Sequence, residues 1–411
     1  MNAVIVTIGN ELLQGFTVDT NASWIGQTLL PYNIQIKKII TVGDISKQII
    51  YEINNILKEN FNFLFITGGL GPTHDDITKN AFIEIMDDEL IFDEKYYKEL
   101  IQKFNKNSIK ILEMHRSQAL RLKKSTSIPN DCGTALGIHY SIKDKQIFIM
   151  PGVPREMKNM VTKYIVPNYL KLKPEKNIIT IKTFGITESH LSEKVKPLMQ
   201  KYKKTCKFAF LPQYTGVSFR ISKIDSNINL LNIKDEFWKL MIPYAYGTDE
   251  DSLQSIISNK LINLNLTIAS AESCTGGLIS KYLTDTPGSS SCFLGGITPY
   301  NNNLKHSLLN ISELSIKKHG AVSEYIALKM AEQIRILTNA DIGISTTGIA
   351  GPGGGTTTKP VGLVYIGLST KSKNIVKKYI FRFDRKNNRI LTAHKALDMI
   401  RLLINKNNFE S

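Results

Sequence analysis

Cysteine is scarce in this sequence, and long apolar runs are absent from it. The cysteines are Cys132, Cys206, Cys274 and Cys292, with no C-x-x-C pair among them. We therefore expect neither a disulfide framework nor a zinc knuckle, and the composition fits a reducing cytoplasm. No stretch approaches the roughly 20 apolar residues that cross a bilayer, so no membrane span is expected. The N-terminus lacks the basic region of a signal peptide and predicts a first strand.

Acidic residues are outnumbered, at 36 Asp and Glu against 52 Lys and Arg, which gives a net charge of +16 over 411 residues. Such an excess is compatible with a nucleic acid or an anionic small molecule as a partner. The lysine-rich segments are, however, spread along the chain with few aromatic residues between them. This pattern favours a surface shaped by base composition, and neither nucleic acid nor a membrane is expected as a partner.

The pattern of apolar residues predicts two α/β domains. Residues 1–170 alternate apolar runs with helical periodicity, as βαβ units do. Strands are predicted at 3–8, 61–67 and 146–150, and helices at 49–59, 75–86 and 154–170. Residues 251–411 repeat this alternation. Strands are predicted there at 266–271, 341–346, 361–368 and 376–383, and helices at 252–261, 322–338 and 385–404.

The residues between these domains, 171–250, predict a small α+β connector. Its elements are strands at 178–184 and 217–223 and a helix at 188–200. The expected fold class is therefore two three-layer α/β domains with mostly parallel sheets, joined by a small α+β domain.

A candidate nucleophile lies in the motif AESCTGG at 271–277, where a predicted strand turns into a helix. A side chain on such a turn points out of the sheet, and the start of a helix offers free N–H groups to an oxyanion. Ser273 is then a nucleophile, with the N–H groups of Cys274 and Thr275 as oxyanion donors. The alternative is an ordinary Ser/Thr cap at the start of the helix.

A base for this serine is suggested by GGITPYNNNLK at 295–305. The histidines of this region lie in no evident motif: His306, His319 and His394. A lysine with a lowered pKa, assisted by a tyrosine hydroxyl, can take the proton instead, which points to Lys305 and Tyr300. The alternatives are a surface lysine and a half-buried aromatic ring.

A glycine-rich segment, TTGIAGPGGG at 346–355, follows another predicted strand. Unobstructed backbone N–H groups suit a phosphate, although the segment matches neither the P-loop nor the dinucleotide fingerprint. The alternative is a flexible loop without a ligand. The candidate ligand contacts are Thr347, Gly348, Gly351, Gly353 and Gly354.

A second glycine turn, TGGLGPTHDDIT at 67–78, joins a predicted strand to a helix that starts with paired carboxylates. Its glycines can wrap a phosphate, and Asp75 and Asp76 can hold a divalent cation that bridges it. The alternative is a capping turn, since aspartates favour the starts of helices. The candidate phosphate contacts are Gly68, Gly69, Gly71 and Thr73.

Together these segments resemble the CinA family, and the resemblance covers nearly the whole chain. Its further markers are GNELLQG at 9–15, DTN at 19–21, VGD at 42–44, GTA at 133–135, PGVPREM at 151–157, GITES at 185–189, GTDE at 247–250, HGAVS at 319–323 and KPVGLVY at 359–365. The resemblance implies a molybdopterin-binding-like first domain, a KH-like connector and a C-terminal nicotinamide-nucleotide amidase domain.

For the C-terminal domain, the resemblance implies hydrolysis of nicotinamide mononucleotide to nicotinate mononucleotide and ammonia without a metal. Ser273 is the implied nucleophile, activated by Lys305 and Tyr300, and either of the two could accept its proton. Cys274 is a chemical rival, but the family pattern favours the serine.

A family D-R-x-x-x-R pattern makes Arg385 and Arg389 candidates for phosphate or carboxylate contacts. The chain departs from the family at Phe383, where a glycine is usual.

For the N-terminal domain, the resemblance implies a metal-dependent ADP-ribose pyrophosphatase that yields AMP and ribose 5-phosphate. The implied cofactor is a divalent ion of the Mg, Mn or Co type, held by Glu11, Asp44, Asp75 and Asp76. The family commonly has proline at Leu122 and Leu136 and glycine at Asn33. An alternative is a molybdopterin-binding domain without hydrolysis.

The predicted partners are therefore nucleotides, namely nicotinamide mononucleotide and ADP-ribose, together with a second copy of the chain in a homodimer. The KH-like connector lacks the G-x-x-G loop that clamps nucleic acid, which favours a spacer or dimerisation element. The remaining alternative is a binding protein associated with competence or DNA damage, as the family name suggests.

Overall fold

The computed structural model describes residues 1–71, 77–106, 113–170, 173–225 and 227–405. The chain forms two compact units, Met1–Asn177 and Ile178–Ser411. Within the described ranges, no helix combines the length and the apolar character that a bilayer crossing requires. The boundaries expected at residues 170 and 250 stay predictions.

The first unit is a mixed sheet between helices. Its strands are β1 (Asn2–Ile8), β2 (Gln35–Val42), β3 (Phe63–Thr67), β4 (Leu90–Phe92), β5 (Leu120–Leu122), β6 (Thr126–Ile128), β7 (Gly137–Ile142) and β8 (Lys145–Met150). Its α-helices are α1 (Asn10–Leu13), α2 (Thr20–Leu29), α3 (Ser46–Lys58), α4 (Thr78–Met86), α5 (Glu94–Lys106) and α6 (Pro154–Met160). Tighter 3₁₀ turns lie at Leu30–Tyr32 and Glu113–Ala119.

The main sheet of this unit runs in the order β2-β1-β3-β8-β7-β6. The first four strands are parallel and the last two antiparallel. Strands β1 and β3 are buried on both faces, which explains their continuous apolar sequences. Their carboxyl ends meet at one edge, so the segments that follow them lie together there.

The helix predicted at 154–170 is present, but it changes from an α-helix to a π-helix part of the way along its length. It is α-helical over Pro154–Met160 and continues as a π-helix over Val161–Leu170. Pro167 lies inside the second stretch and has no N–H to donate, so a regular α-helical ladder cannot run through it. The helix predicted at 75–86 is described from Thr78 onward.

The second unit contains two sheets. Its strands are β9 (Ile178–Thr183), β10 (Cys206–Gln213), β11 (Gly216–Lys223), β12 (Ala245–Thr248), β13 (Ile268–Glu272), β14 (Phe293–Ile297), β15 (Ile342–Gly348), β16 (Leu363–Ser369) and β17 (Asn374–Ile380). Its α-helices are α7 (Glu188–Tyr202), α8 (Leu230–Met241), α9 (Leu253–Asn263), α10 (Leu278–Thr284), α11 (Asn302–Leu309), α12 (Glu313–His319), α13 (Glu324–Thr338) and α14 (Arg385–Ile404). A 3₁₀ turn lies at Ser289–Ser291.

The smaller sheet, β10-β11-β9-β12, is antiparallel and packs on α7 and α8. The larger sheet runs β14-β13-β15-β16-β17, parallel over its first three strands and antiparallel over the rest. The expected α/β class with a small α+β connector is confirmed. Because β13, β14 and β15 are parallel, their carboxyl ends open onto a single edge, where ligands of α/β sheets usually bind.

Helix α14 also holds the smaller sheet in place. Its buried Arg401 pairs with Asp398 at 2.7 Å and donates to the backbone oxygens of Pro243 and Ala245. The same helix starts at the edge of the larger sheet, beside the candidate site. One element therefore spans both sheets of this unit.

Candidate active site

Three of the predicted motifs meet at the carboxyl edge of the larger sheet. Ser273 directly follows β13, and its N–H donates to the backbone oxygen of Thr346 in β15 at 2.9 Å. Lys305 lies on α11, shortly after β14. Its Nζ atom is 3.4 Å from Ser273 Oγ, and the serine and lysine are only 9% and 1% exposed. The structure therefore brings together the predicted nucleophile and one of its two predicted activators.

The Lys305 amine is held by backbone oxygens. It donates to the carbonyls of Pro299 at 2.9 Å and Tyr300 at 3.5 Å. Burial lowers the pKa of Lys305 below its usual 10.5, and the electrostatic interaction with Cys274 opposes this shift only in part. A lowered pKa favours the neutral form of the amine, and a neutral amine can accept a proton from a hydroxyl. The alternative of a surface lysine is therefore excluded.

The Tyr300 side chain is arranged differently from Lys305. It is 58% exposed, and its hydroxyl accepts a hydrogen bond from Arg385 Nη2 at 2.8 Å. Only its backbone oxygen contacts the lysine amine. This geometry favours Lys305 as the proton acceptor, and the assisting role of Tyr300 stays a prediction.

The three histidines of this region have other partners in the described structure. His306 and His394 are hydrogen-bonded through Nδ1 to backbone oxygens, and His319 stacks on Tyr325. The rival nucleophile Cys274 is buried, and burial raises the pKa of its thiol to about 12. The thiol is thus protonated at neutral pH and is a poor nucleophile.

The start of α10 differs from the prediction. The helix begins only at Leu278, and the N–H groups of Ile279 and Ser280 donate to the buried Glu272 carboxylate at 3.0 and 2.8 Å. The expectation that these helix-start N–H groups are free for an oxyanion is therefore wrong. The reason is that Glu272 satisfies them from the preceding strand.

The predicted oxyanion donors precede this helix. Among the hydrogen bonds of the described residues, none joins the N–H of Cys274 or Thr275 to an acceptor of another residue. Thr275 is fixed by its hydroxyl, which lies 2.7 Å from that of Thr346. The two N–H groups therefore remain the predicted donors for an oxyanion at Ser273.

Glu272 was missed by sequence reasoning, although an acidic residue at the end of an apolar strand is a usable signal. Its carboxylate also accepts from Ser280 Oγ at 2.7 Å and from Ser270 Oγ at 3.5 Å, so it holds four donors at zero exposure. It thereby fixes the turn between β13 and α10, which carries Ser273.

Replacing Glu272 by glutamine is expected to destabilise the second unit by about 1.5–3 kcal/mol, because one amide oxygen cannot satisfy all four donors. The chain has two tryptophans. In a Trp24→Phe background, the fluorescence of Trp238 in α8 follows denaturant unfolding of this unit. The exposed Glu313→Gln on α12 is the matched control and should stay within ~0.5 kcal/mol of wild type. Equal stability of the two variants would contradict this role of Glu272.

The glycine loop after β15 is anchored at its first residues and exposed further along. The Thr347 hydroxyl donates to the Ala321 oxygen at 2.7 Å, and Gly348 ends the strand. Gly351 is buried, whereas Gly353 and Gly354 are exposed. Gly353 and Gly354 thus have backbone accessible to a ligand, while Thr347 and Gly348 belong to the supporting strand.

Helix α14 fixes this loop from the opposite side. The buried Asn388 donates to the oxygen of Ala350 at 3.0 Å, and Arg385 Nη1 donates to that of Gly351 at 2.8 Å. Asn388 was missed because its loop partner is distant in sequence, and only its place within the D-R-x-x-x-R pattern could have signalled it.

The second arginine of this pattern contacts the turn that carries Ser273, residues 273–277, which is called the nucleophile turn below. Arg389 Nη2 donates to the Thr275 oxygen at 2.7 Å, and a Cβ on Gly276 would lie 3.1 Å from the same nitrogen. Phe383, at the family's glycine position, is 49% exposed and meets the ring edge of Tyr214 with centroids 5.8 Å apart. Arg385 and Arg389 therefore connect the glycine loop, Tyr300 and the nucleophile turn.

The first unit has its own cavity, of about 420 Å³, at the carboxyl edge of its sheet. Glu11, Asp44, Gly68, Gly69 and Gly71 all line it. At Gly68 the φ angle is +119°, and a Cβ would lie 2.1 Å from the Ile8 oxygen, so only glycine fits this turn. The predicted residues Thr73, Asp75 and Asp76 lie outside the described part of the chain.

The donor set of this cavity fits a divalent cation with help from a ligand. The described residues contain no group of three or more acidic, histidine or cysteine side chains that could hold a metal. Glu11 and Asp44 nevertheless line the same cavity as the glycine turn. Mg²⁺ is commonly held by one or two carboxylates together with substrate phosphates, and these two residues supply such a set.

Three residues of this unit depart from the family pattern, and the structure explains one of them, Asn33. Asn33 adopts a left-handed φ of 55°, which asparagine tolerates better than most residues, so it replaces a glycine readily. Leu122 and Leu136 are both buried, in separate apolar clusters. None of the three lines the cavity.

The fold and the family models together define the class of this protein. It is an α/β protein with a molybdopterin-binding-type domain, a KH-type segment and a further α/β domain. The Probable molybdopterin binding domain matches residues 4–171, the Damage-inducible protein CinA KH domain 179–232, and the CinA C-terminal domain 250–404. The chain belongs to the CinA family, which confirms the resemblance stated above.

Similar proteins carry the same family name or a related one. A putative competence-damage inducible protein of Clostridium tetani is 37% identical over 98% of this chain and 99% of the relative. A CinA-like protein of Chlorobaculum tepidum is 35% identical over 97% of each chain. The crystal structure of competence/damage inducible protein CihA from Agrobacterium tumefaciens is 33% identical and covers 38% of this chain and 97% of that chain, with a TM-score of 0.36.

Proposed function

We propose that the second unit is an amidohydrolase that converts nicotinamide mononucleotide to nicotinate mononucleotide and ammonia. The observation that carries this proposal is the buried Lys305 amine, 3.4 Å from the Ser273 hydroxyl, with its pKa lowered by burial. A serine beside a lysine whose neutral form is favoured by burial is a nucleophile and base pair suited to acyl transfer.

The reaction follows from this pair in two stages. Lys305 accepts the Ser273 proton while Oγ attacks the carboxamide carbon, and the N–H groups of Cys274 and Thr275 stabilise the oxyanion. The C–N bond then breaks, and the leaving nitrogen takes the proton from Lys305 to depart as ammonia. Water attacks the resulting Ser273 ester, gives its proton to Lys305 and releases nicotinate mononucleotide as the serine is re-protonated.

The surrounding groups supply recognition of the nucleotide. Arg385 and the exposed glycines Gly353 and Gly354 are suited to the 5′-phosphate, because guanidinium and free backbone N–H groups bind phosphate oxygens well. Arg389 supports the nucleophile turn through the Thr275 oxygen. This arrangement accounts for the mononucleotide as substrate in place of free nicotinamide.

The purified chain is expected to release ammonia from nicotinamide mononucleotide, and much more slowly from nicotinamide riboside, which lacks the phosphate. Addition of EDTA is expected to leave the rate unchanged, since the proposed chemistry uses no metal. Ammonia is measured by a coupled glutamate dehydrogenase assay. A folded chain that releases none would refute the amidase proposal.

For the first unit we propose a metal-dependent ADP-ribose pyrophosphatase. The glycine turn and the carboxylates of Glu11 and Asp44 around one cavity support a diphosphate ligand with a divalent cation. A bound cation would neutralise charge on the diphosphate oxygens. Glu11 and Asp44 would hold it, and the backbone of Gly68, Gly69 and Gly71 would wrap the phosphates.

Changing Glu11 to glutamine is expected to lower AMP formation from ADP-ribose by about 100-fold or more, because the variant loses one of the two carboxylates proposed to hold the cation. AMP is measured by chromatography with Mg²⁺ or Mn²⁺. The exposed Glu59→Gln on the same unit is the matched control. Full activity of Glu11→Gln, or full activity of wild type in EDTA, would contradict the proposed metal site.

We also propose a cytoplasmic location and a homodimer. The location is supported by the four cysteines, all of which are free thiols. Light scattering of the purified chain tests the dimer, and a monomer mass at micromolar concentration would contradict it.

A further inference from the structure

A third carboxylate lines the glycine-turn cavity of the first unit and has no part in the function proposed above. Glu156 lies in the first turn of α6, within the PGVPREM marker, and it lines the cavity together with Glu11 and Asp44. Within the described ranges, these three side chains do not form a group that could hold one metal ion. Glu156 therefore lines the ligand cavity without belonging to the proposed cation site.

The buried Asn130 fixes the position of the Glu156 carboxylate. Its Oδ1 atom accepts the N–H groups of Cys132 at 3.0 Å and Gly133 at 2.9 Å, which determines the orientation of the amide. Its Nδ2 atom then donates to the Ala135 oxygen at 2.9 Å and to Glu156 Oε2 at 2.6 Å. Both amide hydrogens are thus in use, and one of them holds the carboxylate.

The GTA marker at 133–135 packs against the same carboxylate. A Cβ on Gly133 would lie 2.3 Å from Glu156 Oε2, so a side chain at this position would push the carboxylate away. The other two residues of the marker, Thr134 and Ala135, line the cavity. Two markers that are distant in sequence therefore meet at Glu156.

The second oxygen of this carboxylate, Oε1, is open. No described residue donates a hydrogen bond to it, and it is not one of the buried polar atoms that lack a partner, so it is accessible. No lysine, arginine or histidine of the described chain lines the cavity. A bare carboxylate repels a diphosphate unless a donor lies between them. A water molecule is such a donor, since it can donate to Oε1 and present its oxygen to a phosphorus atom.

We propose that Glu156 is the general base of diphosphate hydrolysis and takes the proton of the attacking water through Oε1. The inference rests on the function proposed for the first unit. As the water oxygen bonds to one phosphorus atom, one of its protons passes to Glu156. The bond from that phosphorus to the bridging oxygen breaks, and this oxygen leaves with the electron pair on the other phosphate. Glu156 then passes its proton to solvent.

The test separates chemistry from binding by comparing Glu156→Gln with Glu11→Gln. Glutamine can still accept from Asn130, but it cannot take a proton from water. In Glu156→Gln, kcat for AMP formation from ADP-ribose is expected to fall by about 10²–10⁴-fold, with KM within a few-fold of wild type.

Binding is measured by calorimetry on the full chain with Mg²⁺ and the α,β-methylene analogue of ADP-ribose, which hydrolysis cannot consume. Glu156→Gln is expected to bind the analogue at least as tightly as wild type, because a negative charge beside the phosphates is lost. Glu11→Gln is expected to bind it about tenfold more weakly or worse, because a proposed cation ligand is lost. The exposed Glu59→Gln should keep wild-type turnover and binding.

Gly133→Ala provides a second variant, since its methyl group would displace the Glu156 carboxylate. Its kcat is expected to fall while it still binds the analogue. Full turnover by Glu156→Gln, or loss of analogue binding in that variant, overturns the role of base and leaves the diphosphate function standing. If wild type neither binds the analogue nor forms AMP, the diphosphate function fails and the base with it.

Discussion

Replacing Ser273 with alanine is expected to abolish ammonia release from nicotinamide mononucleotide, with a loss of about 10⁴-fold or more. The variant keeps the glycine loop and the lysine, but it has no atom that can form the ester. Loss of one side-chain oxygen from a site that is 9% exposed should leave the fold intact. The rate is measured under saturating substrate, so that a change in binding does not hide the change in chemistry.

The exposed Ser290→Ala in the same unit is the matched control, and it should retain the wild-type rate. Substrate binding by Ser273→Ala, followed by calorimetry, should stay within a few-fold of wild type because the serine oxygen acts on the carboxamide and not on the phosphate. Substantial turnover by Ser273→Ala would remove this serine from the mechanism.

Changing Lys305 to methionine is expected to lower kcat by about 10³-fold, since general-base assistance contributes about 10²–10⁴-fold. Lys305→Arg should be as inactive, because a guanidinium stays protonated. The wild-type rate should rise with pH as Lys305 loses its proton, at a pKa below the usual 10.5. The exposed Lys281→Met on α10 is the control and should keep both the rate and the pH profile. A methionine variant with the wild-type profile would exclude Lys305 as the base.

The lowered pKa of Lys305 also affects stability, where removal of the lysine is expected to have the opposite effect to its effect on activity. Its pKa is lower in the folded chain than in the unfolded chain, so the unfolded chain binds more protons at this group. The free energy of unfolding should therefore rise with pH from the lowered folded value up to about 10.5, and this rise should be absent in Lys305→Met. At neutral pH the methionine variant should be at least as stable as wild type. If Lys305→Met is inactive but as stable as wild type, then Lys305 serves catalysis and not folding.

The pairing of Ser273 with Lys305 could be anticipated from motifs, because each residue follows a strand whose carboxyl end lies at the same sheet edge. The partner of the Tyr300 hydroxyl could not be anticipated from the sequence. It is Arg385, which lies on a distant helix whose position depends on tertiary packing. Glu272 was missed for a related reason. Most of its hydrogen-bond donors lie in the following helix, so they are known only once the position of that helix is known.

Some elements of the fold could likewise be predicted from the sequence, and others could not. The bounds predicted for α14 agree with those observed, because Asp384 caps its start and an apolar face repeats along its length. The short strands β4, β5 and β6 were not predicted, since three residues carry no detectable periodicity. The π-helical continuation after Met160 depends on packing around Pro167, and no local pattern signals it.

The central claim is that Ser273 forms a covalent ester with the substrate, and acid quenching during the first turnovers tests it most directly. The wild-type chain is mixed with nicotinamide mononucleotide, quenched, digested and examined by mass spectrometry. The peptide containing Ser273 is expected to gain the mass of nicotinate mononucleotide less one water, and this adduct is expected to be absent in Ser273→Ala. Ammonia release without an adduct on that peptide, or an adduct on Cys274, would contradict the account.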